Sequence, residues 1–257
     1  MPRIGNLRDL TWTYDPSGAA TSPKLIGTPY LEVRCLILKP GQYPPCHSHH
    51  GEMDEGFLIL AGRGLMQFDG EAFEVREGSV VLGKRGGFHS MKNVGTEDLV
   101  EFNCRGGRMP SGFVRPADKS IPDDPDLVRE RAADPSRCVR GTVDGLMAAF
   151  DLATASKSGL PKAVATPYLE VRIASFAPGD RPPLHRHQKE LDEATLVLKG
   201  RVAYEVDGDR VEGGPGDLLH VPGGAWHYLE NAGGGEAQIY NVLGGELPVR
   251  TEKVVAY

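Results

Sequence analysis

One heptapeptide, TPYLEVR, occurs twice in this 257-residue chain, at Thr28 to Arg34 and at Thr166 to Arg172, and no other feature constrains the fold as strongly. Carried forward at the same offset of 138 residues without a gap, residues 28 to 104 overlay residues 166 to 242 with 29 identities in 77 positions. A chain that repeats itself over that length is an internal duplication, so both copies are expected to adopt one architecture. The length accommodates two cores of about 100 to 150 residues each.

Within each copy the apolar runs are short and rich in β-branched and aromatic residues, as in YLEVRCLIL, GFLILAG and SVVLG of the first. Turn residues separate them, and the Asp-Gly pairs at Asp69-Gly70 and Asp207-Gly208 are hairpin signals. Each copy therefore reads as an all-β barrel or sandwich. Residues 106 to 140 carry five prolines and many charges and read as a linker. A short helix is expected there, with Asp124 as its cap, Pro125 in its first turn and Pro135 ending the run LVRERAAD. The expected division is an N-terminal arm over 1–27, a first barrel over 28–105, the linker over 106–140 and a second barrel over 141–257.

Six of the eight histidines fall into two sets with identical spacing. Gly41 leads to His47, His49 and Glu55 before Gly62, as Gly179 leads to His185, His187 and Glu193 before Gly200. Histidines two apart on a strand share a face, so each pair can turn into a barrel interior. Further on, Gly78 precedes His89 and Asn93 as Gly216 precedes His227 and Asn231, which adds a third imidazole per copy. Three imidazoles and a carboxylate suit a borderline divalent ion and leave coordination positions open, so one metal is expected per copy, two per chain. His50 and His220 have no counterpart, and alternation puts His50 on the outer face.

At these residues the chain resembles the cupin superfamily, whose first motif runs G-x5-H-x-H-x3,4-E-x6-G and whose second runs G-x5-P-x-G-x2-H-x3-N. Two such pairs in tandem resemble a bicupin, which implies two jelly-roll barrels. The resemblance also implies metal ligation by His47, His49, Glu55 and His89 and by His185, His187, Glu193 and His227. Five residues separate the second histidine from the glutamate in both copies, and Asp54 or Asp192 would restore the family spacing while breaking the step to the glycine. The second motif is complete in the C-terminal copy, but Lys84 replaces its proline in the N-terminal one.

Lys84 and Arg85 are read as recruiting an anionic substrate or as a solvated turn, and Phe88 and Trp226 as pocket walls or core. Glu32 with Arg34, and Glu170 with Arg172, read as a structural ion pair or a pocket feature. Asn93 and Asn231 are expected to satisfy turn backbone. Cys35, Cys46, Cys104 and Cys138 lack framework spacing and fit a reducing compartment, Cys46 as a buried thiol. A net charge of −6 and the lack of a basic run argue against nucleic acid. No apolar stretch suits a membrane span, so a cytoplasmic protein is expected, with a homodimer as the commonest assembly.

Activities implied by the resemblance include dioxygenases, decarboxylases, isomerases and small hydrolases, and fold alone does not choose. Open metal positions suit simultaneous binding of an enolate-like substrate and O2. This favours an iron(II) dioxygenase acting on a small oxygenated metabolite, aromatic or anionic, with Glu55 or Glu193 as a base. A redox-neutral isomerase or decarboxylase using Mn, Ni, Zn or Cu is the alternative, and a non-catalytic binding or storage bicupin a third.

Overall fold

The computed structural model describes residues 3–17, 22–49, 51–110, 113–116, 121–128, 138–151 and 160–253. It divides into two units, Thr11–Asp144 and Met1–Leu10 with Gly145–Tyr257. Both are β-structures, as the duplicated pattern requires.

In the first unit, Leu31–Leu38, Met53–Ala61, Ser79–Gly83 and Leu99–Gly107 are the inner members of a seven-stranded sheet. A three-stranded sheet of Arg63–Phe68, Glu71–Arg76 and His89–Asn93, with the pair Ser48–His49 and Phe113–Val114, completes the barrel. Leu38, Phe57, Ile59, Met66, Phe68 and Met91 are among the residues of its core. Asp69 adopts φ 49° at the head of the two-residue hairpin turn, a left-handed conformation that aspartate tolerates. The second unit repeats the plan, with a seven-stranded sheet facing five strands.

The unit boundaries differ from the sequence division. Arg3–Asn6, assigned to an arm, is an edge strand of the second unit, paired with Asp217–Val221. Cys138–Thr142, split between the linker and the second barrel, pairs with Ser79–Gly83 in the first. Trp12–Thr13 and Ile26–Gly27, also assigned to the arm, pair with Leu31–Leu38. Edge strands this short carry too little pattern to show which sheet they join. The expected helix is one 3-10 turn, Pro125–Leu127, with Asp124 capping the N–H of Asp126. The rest of the run, from residue 129 to Pro135, lies outside the described residues.

Candidate metal centre

Each ligand set assembles at the start of its barrel strands. In the first unit His47 bridges to His89 through paired backbone hydrogen bonds, which brings the first histidine beside the third. His49 follows on Ser48–His49, and Glu55 stands on Met53–Ala61. Ligating atoms of His47, His49 and His89 all lie within 4.8 Å of one another, as do those of His185, His187 and His227. Glu55 Oε2 is 3.0 Å from Nε2 of both His49 and His89. Glu193 Oε2 is 3.2 Å from His187 Nε2 and 3.3 Å from His227 Nε2.

Tautomers follow from the backbone. His47 Nδ1 donates to Pro45 O at 2.9 Å and His89 Nδ1 to Gly87 O at 3.1 Å, because a carbonyl only accepts. His185 and His227 donate likewise to Pro183 and Ala225. Each of these rings thereby turns its Nε2 lone pair inward, the arrangement a metal-binding imidazole needs. Burial, reinforced by the neighbouring histidines, drives His47 well below its ordinary range and His185 down to about 3, so both are neutral. Nε2 of His187 and His227 and Oε2 of Glu55 are buried without a hydrogen bond. Buried lone pairs converging on one point cost free energy that a divalent cation recovers, so the donor sets fit a metal.

The outer oxygen of each glutamate is gripped from neighbouring strands, Leu99–Gly107 in the first unit and Ala237–Gly245 with Val202–Val206 in the second. Asn103 Nδ2 and Arg105 Nε donate to Glu55 Oε1 at 2.7 and 2.9 Å. Asn241 Nδ2 and Tyr204 Oη donate to Glu193 Oε1 at 2.8 and 2.5 Å. Asparagine recurs, whereas the second donor is an arginine in one unit and a tyrosine from another strand in the other. Burial alone would raise the Glu55 carboxyl, but Arg105, His49 and His89 outweigh it and hold it well below the carboxylate range. A carboxylate so anchored is suited to ligation and is a weak base, which speaks against the base role expected for it. Burial and the charge of Glu193 raise the Tyr204 phenol well above its ordinary range, so it stays a donor.

Asp54 and Asp192, the alternative ligands, serve the neighbouring turn. Asp54 Oδ1 accepts from Arg85 N and Asp192 Oδ1 from Gly223 N, both at 2.7 Å. Glu32 bonds Arg34 and also Arg105, so this pair orients the group that orients Glu55. Asn93 and Asn231 each donate to two carbonyls and accept one N–H, as their turns require. All four cysteines are free thiols, and burial above all pushes Cys35, Cys46 and Cys138 up to about 12. His50 lies outside the described residues.

The two centres differ in the space above them. A cavity of about 610 Å³, bounded by His47, Glu55, His89, Trp12, Tyr14, Arg34, Glu101 and Arg115, opens onto the first. That volume falls in the range of about 300–1,000 Å³ that small molecules occupy. Above the second, about 30 Å³ remains among Leu160, Phe176, Tyr204, Leu229 and Ile239, room for little more than water. Where the second unit has Phe176, Tyr204, Leu229 and Ile239, the first has Leu38, Met66, Met91 and Glu101. Phe150 stacks on Phe176 at 4.9 Å, while Tyr14, which makes the equivalent backbone bond, borders the cavity.

The remaining predicted residues stand elsewhere. Lys84 and Arg85 do not line the large cavity; they border a cleft of about 10 Å³ that reaches His49, Glu55 and His89 of the same centre, and Arg85 is exposed. Neither Phe88 nor Trp226 lines either cavity; Trp226 carries the Arg186 guanidinium at 4.7 Å. The ring stacked on His89 is Phe68, at 5.8 Å. Sequence reading missed Arg105, Tyr204 and Glu101, since each is defined by what it faces across the sheet.

Two barrels with these paired motifs define a bicupin. The chain belongs to the Cupin_2 family (Cupin domain), whose model matches residues 35–103 and 172–243. No curated protein gives a significant sequence match. Among solved structures, the salicylate 1,2-dioxygenase from Pseudaminobacter salicylatoxidans is similar with a TM-score of 0.63 at 14% identity, covering 88% of this chain and 75% of that one. An adduct of salicylate 1,2-dioxygenase with gentisate gives 0.61 at 14%, covering 93% and 75%. A Cupin 2 conserved barrel domain protein from Leptotrichia buccalis gives 0.57 at 15%, covering 93% and 94%. At these identities the likeness is one of fold.

Proposed function

We propose that this protein is an iron(II)-dependent dioxygenase that turns over a small, planar, oxygenated acid in its first barrel, while its second barrel holds a structural ion. The observation that carries this reading is the inequality of the two centres: equivalent ligand sets, one beneath about 610 Å³ of cavity and the other beneath about 30 Å³. Iron bound by His47, His49, Glu55 and His89 would supply Lewis acidity and a redox partner for dioxygen. Asn103 and Arg105 fix Glu55, Phe57, Met66 and Met91 keep the wall apolar, and Trp12 and Tyr14 offer a shelf for a planar ring. Arg115, exposed at the cavity, bonded to Cys46 O and 3.7 Å from Asp123, is a cation that borders the large cavity and would recruit an anion there. The fold shared with an enzyme of salicylate, seen also with gentisate, supports the substrate class. No helix among the described residues is long and apolar enough to cross a membrane, and the free thiols fit a reducing, cytoplasmic compartment.

Oxygen uptake by iron-loaded protein with a panel of hydroxylated aromatic acids, salicylate and gentisate included, tests the reading. His47→Ala with His49→Ala should halve the metal content and abolish uptake. His185→Ala with His187→Ala should halve the metal content and leave uptake within a few-fold. Uptake lost only with the second pair would overturn the assignment, and turnover without oxygen consumption would make the protein an isomerase or decarboxylase.

A further inference from the structure

The strand Leu99–Gly107 sends Glu101, Asn103 and Arg105 to one face, as alternation requires. Asn103 and Arg105 are both engaged with Glu55. Glu101 is different: it borders the same cavity as His47, His89 and Glu55, is 7% exposed, and makes no hydrogen bond or ion pair with any described residue. A buried carboxyl without a partner costs stability in either protonation state. Nor does the barrel need one there, since the equivalent position of the second unit is Ile239, 1% exposed and packed into the core. The unmatched carboxyl thus occurs only where there is room for a ligand. Of the other polar groups of this wall, Arg34 bonds Glu32 and the Ser22 carbonyl, Ser90 bonds Asp123, and the Ser22 hydroxyl is buried without a partner. Apolar Phe57, Met66 and Met91 complete it, so the part of a ligand that faces Glu101 is an apolar frame bearing a polar substituent.

We propose that Glu101 is a substrate-recognition carboxyl, hydrogen-bonded to a hydroxyl or amino substituent of an acid whose anionic end sits toward the metal ligands. This rests on the reading of the first barrel as the substrate site. In either protonation state a carboxyl at this position accepts a hydrogen bond from a hydroxyl or amino substituent. The substrate is accordingly bifunctional, and a ring lacking the second substituent leaves Glu101 unpaired.

Calorimetric binding to zinc-loaded protein tests this without turnover, using the matched probes 3-hydroxybenzoate against 3-methoxybenzoate and 4-hydroxybenzoate against 4-methoxybenzoate. A methoxy oxygen cannot donate. At least one hydroxy acid should bind about ten-fold or more tightly than its partner. Glu101→Gln should keep part of that preference, and Glu101→Ile should erase it, with metal content unchanged in both. Because the residue is not structural, Glu101→Ile should keep or raise Tm. Equal binding within both pairs, a preference that survives in Glu101→Ile, or a Tm lowered by that variant would overturn the proposal. If no acid binds the wild type at all, the reading of the site falls and takes this one with it.

Discussion

Glu55 and Glu101 show how two carboxyls on adjacent strands of one barrel come to behave oppositely. Both are buried, and burial raises both. Arg105 and two histidines reverse the effect at Glu55, while nothing of comparable strength faces Glu101. The consequence is a pH dependence whose sign can be worked out. Between the ordinary carboxylate range and about 8, the folded protein holds a proton on Glu101 that the unfolded chain has released. The cost of burying this group is therefore smallest at acid pH and grows as pH rises from the ordinary carboxylate range to its folded pKa. In the metal-free protein, chemical denaturation from about pH 5 to about pH 8 should show the wild type losing a few kcal/mol relative to Glu101→Gln. A constant difference across that range would show that Glu101 is ionised in the fold throughout. Spacing made the histidine triads legible at this scale, because histidines at i and i+2 share a strand face. Arg105 was not legible: it meets Glu55, 50 residues earlier, only through the antiparallel register that sets the two opposite each other.

The elements that carry the ligands are fixed by close backbone approaches more than by side-chain packing. Gly107 ends the strand Leu99–Gly107 at φ 140°, where a Cβ would stand 2.0 Å from Glu52 O and 2.6 Å from Met53 Cα. Gly245 repeats this, with Glu190 O at 2.1 Å. The space is closed by the very backbone that starts the Glu55 and Glu193 strands. Gly107→Ala should therefore destabilise the first unit by about 2 kcal/mol or more and lower the metal occupancy of its centre. Denaturant midpoints and metal analysis read both effects, and a variant as stable and as well loaded as the wild type would show that the strand start can move aside. Turns behave similarly. Asp69 and Asp207 set their hairpins and also accept the N–H of Phe88 and Trp226, the residues before His89 and His227. The hairpins could be read from Asp-Gly, but this second task could not. In the linker, local chemistry specified a capped turn at Asp124 and Pro125, and Lys92 ties it to the barrel through Asp124 and Asp126.

Over the whole molecule, chain order and structural units do not coincide. Arg3–Asn6 completes the sheet of the second unit, and Asn6 Nδ2 donates to Asp217 Oδ1 at 3.0 Å and to Pro215 O at 3.1 Å. Deleting residues 1–10 should expose the edge Asp217–Val221, lower the Tm of the second unit by several degrees and increase its aggregation. The fragment 11–144, a unit by itself, should melt as it does in the full chain. Scanning calorimetry of both species decides this, and an unchanged second transition after the deletion would show that the strand contributes nothing. By itself the sequence determined the duplication, the all-β class and the two histidine triads, because these rest on identity at a fixed offset and on the two-residue period of a strand. Tertiary structure alone decided which edge strand joins which unit, since a four-residue strand has too little pattern to choose a partner. It alone also decided that one barrel is open and the other filled. Cavity volume depends on how Met66 or Tyr204, Leu38 or Phe176, and Glu101 or Ile239 fill a common interior, and that is a property of packing which no single position carries.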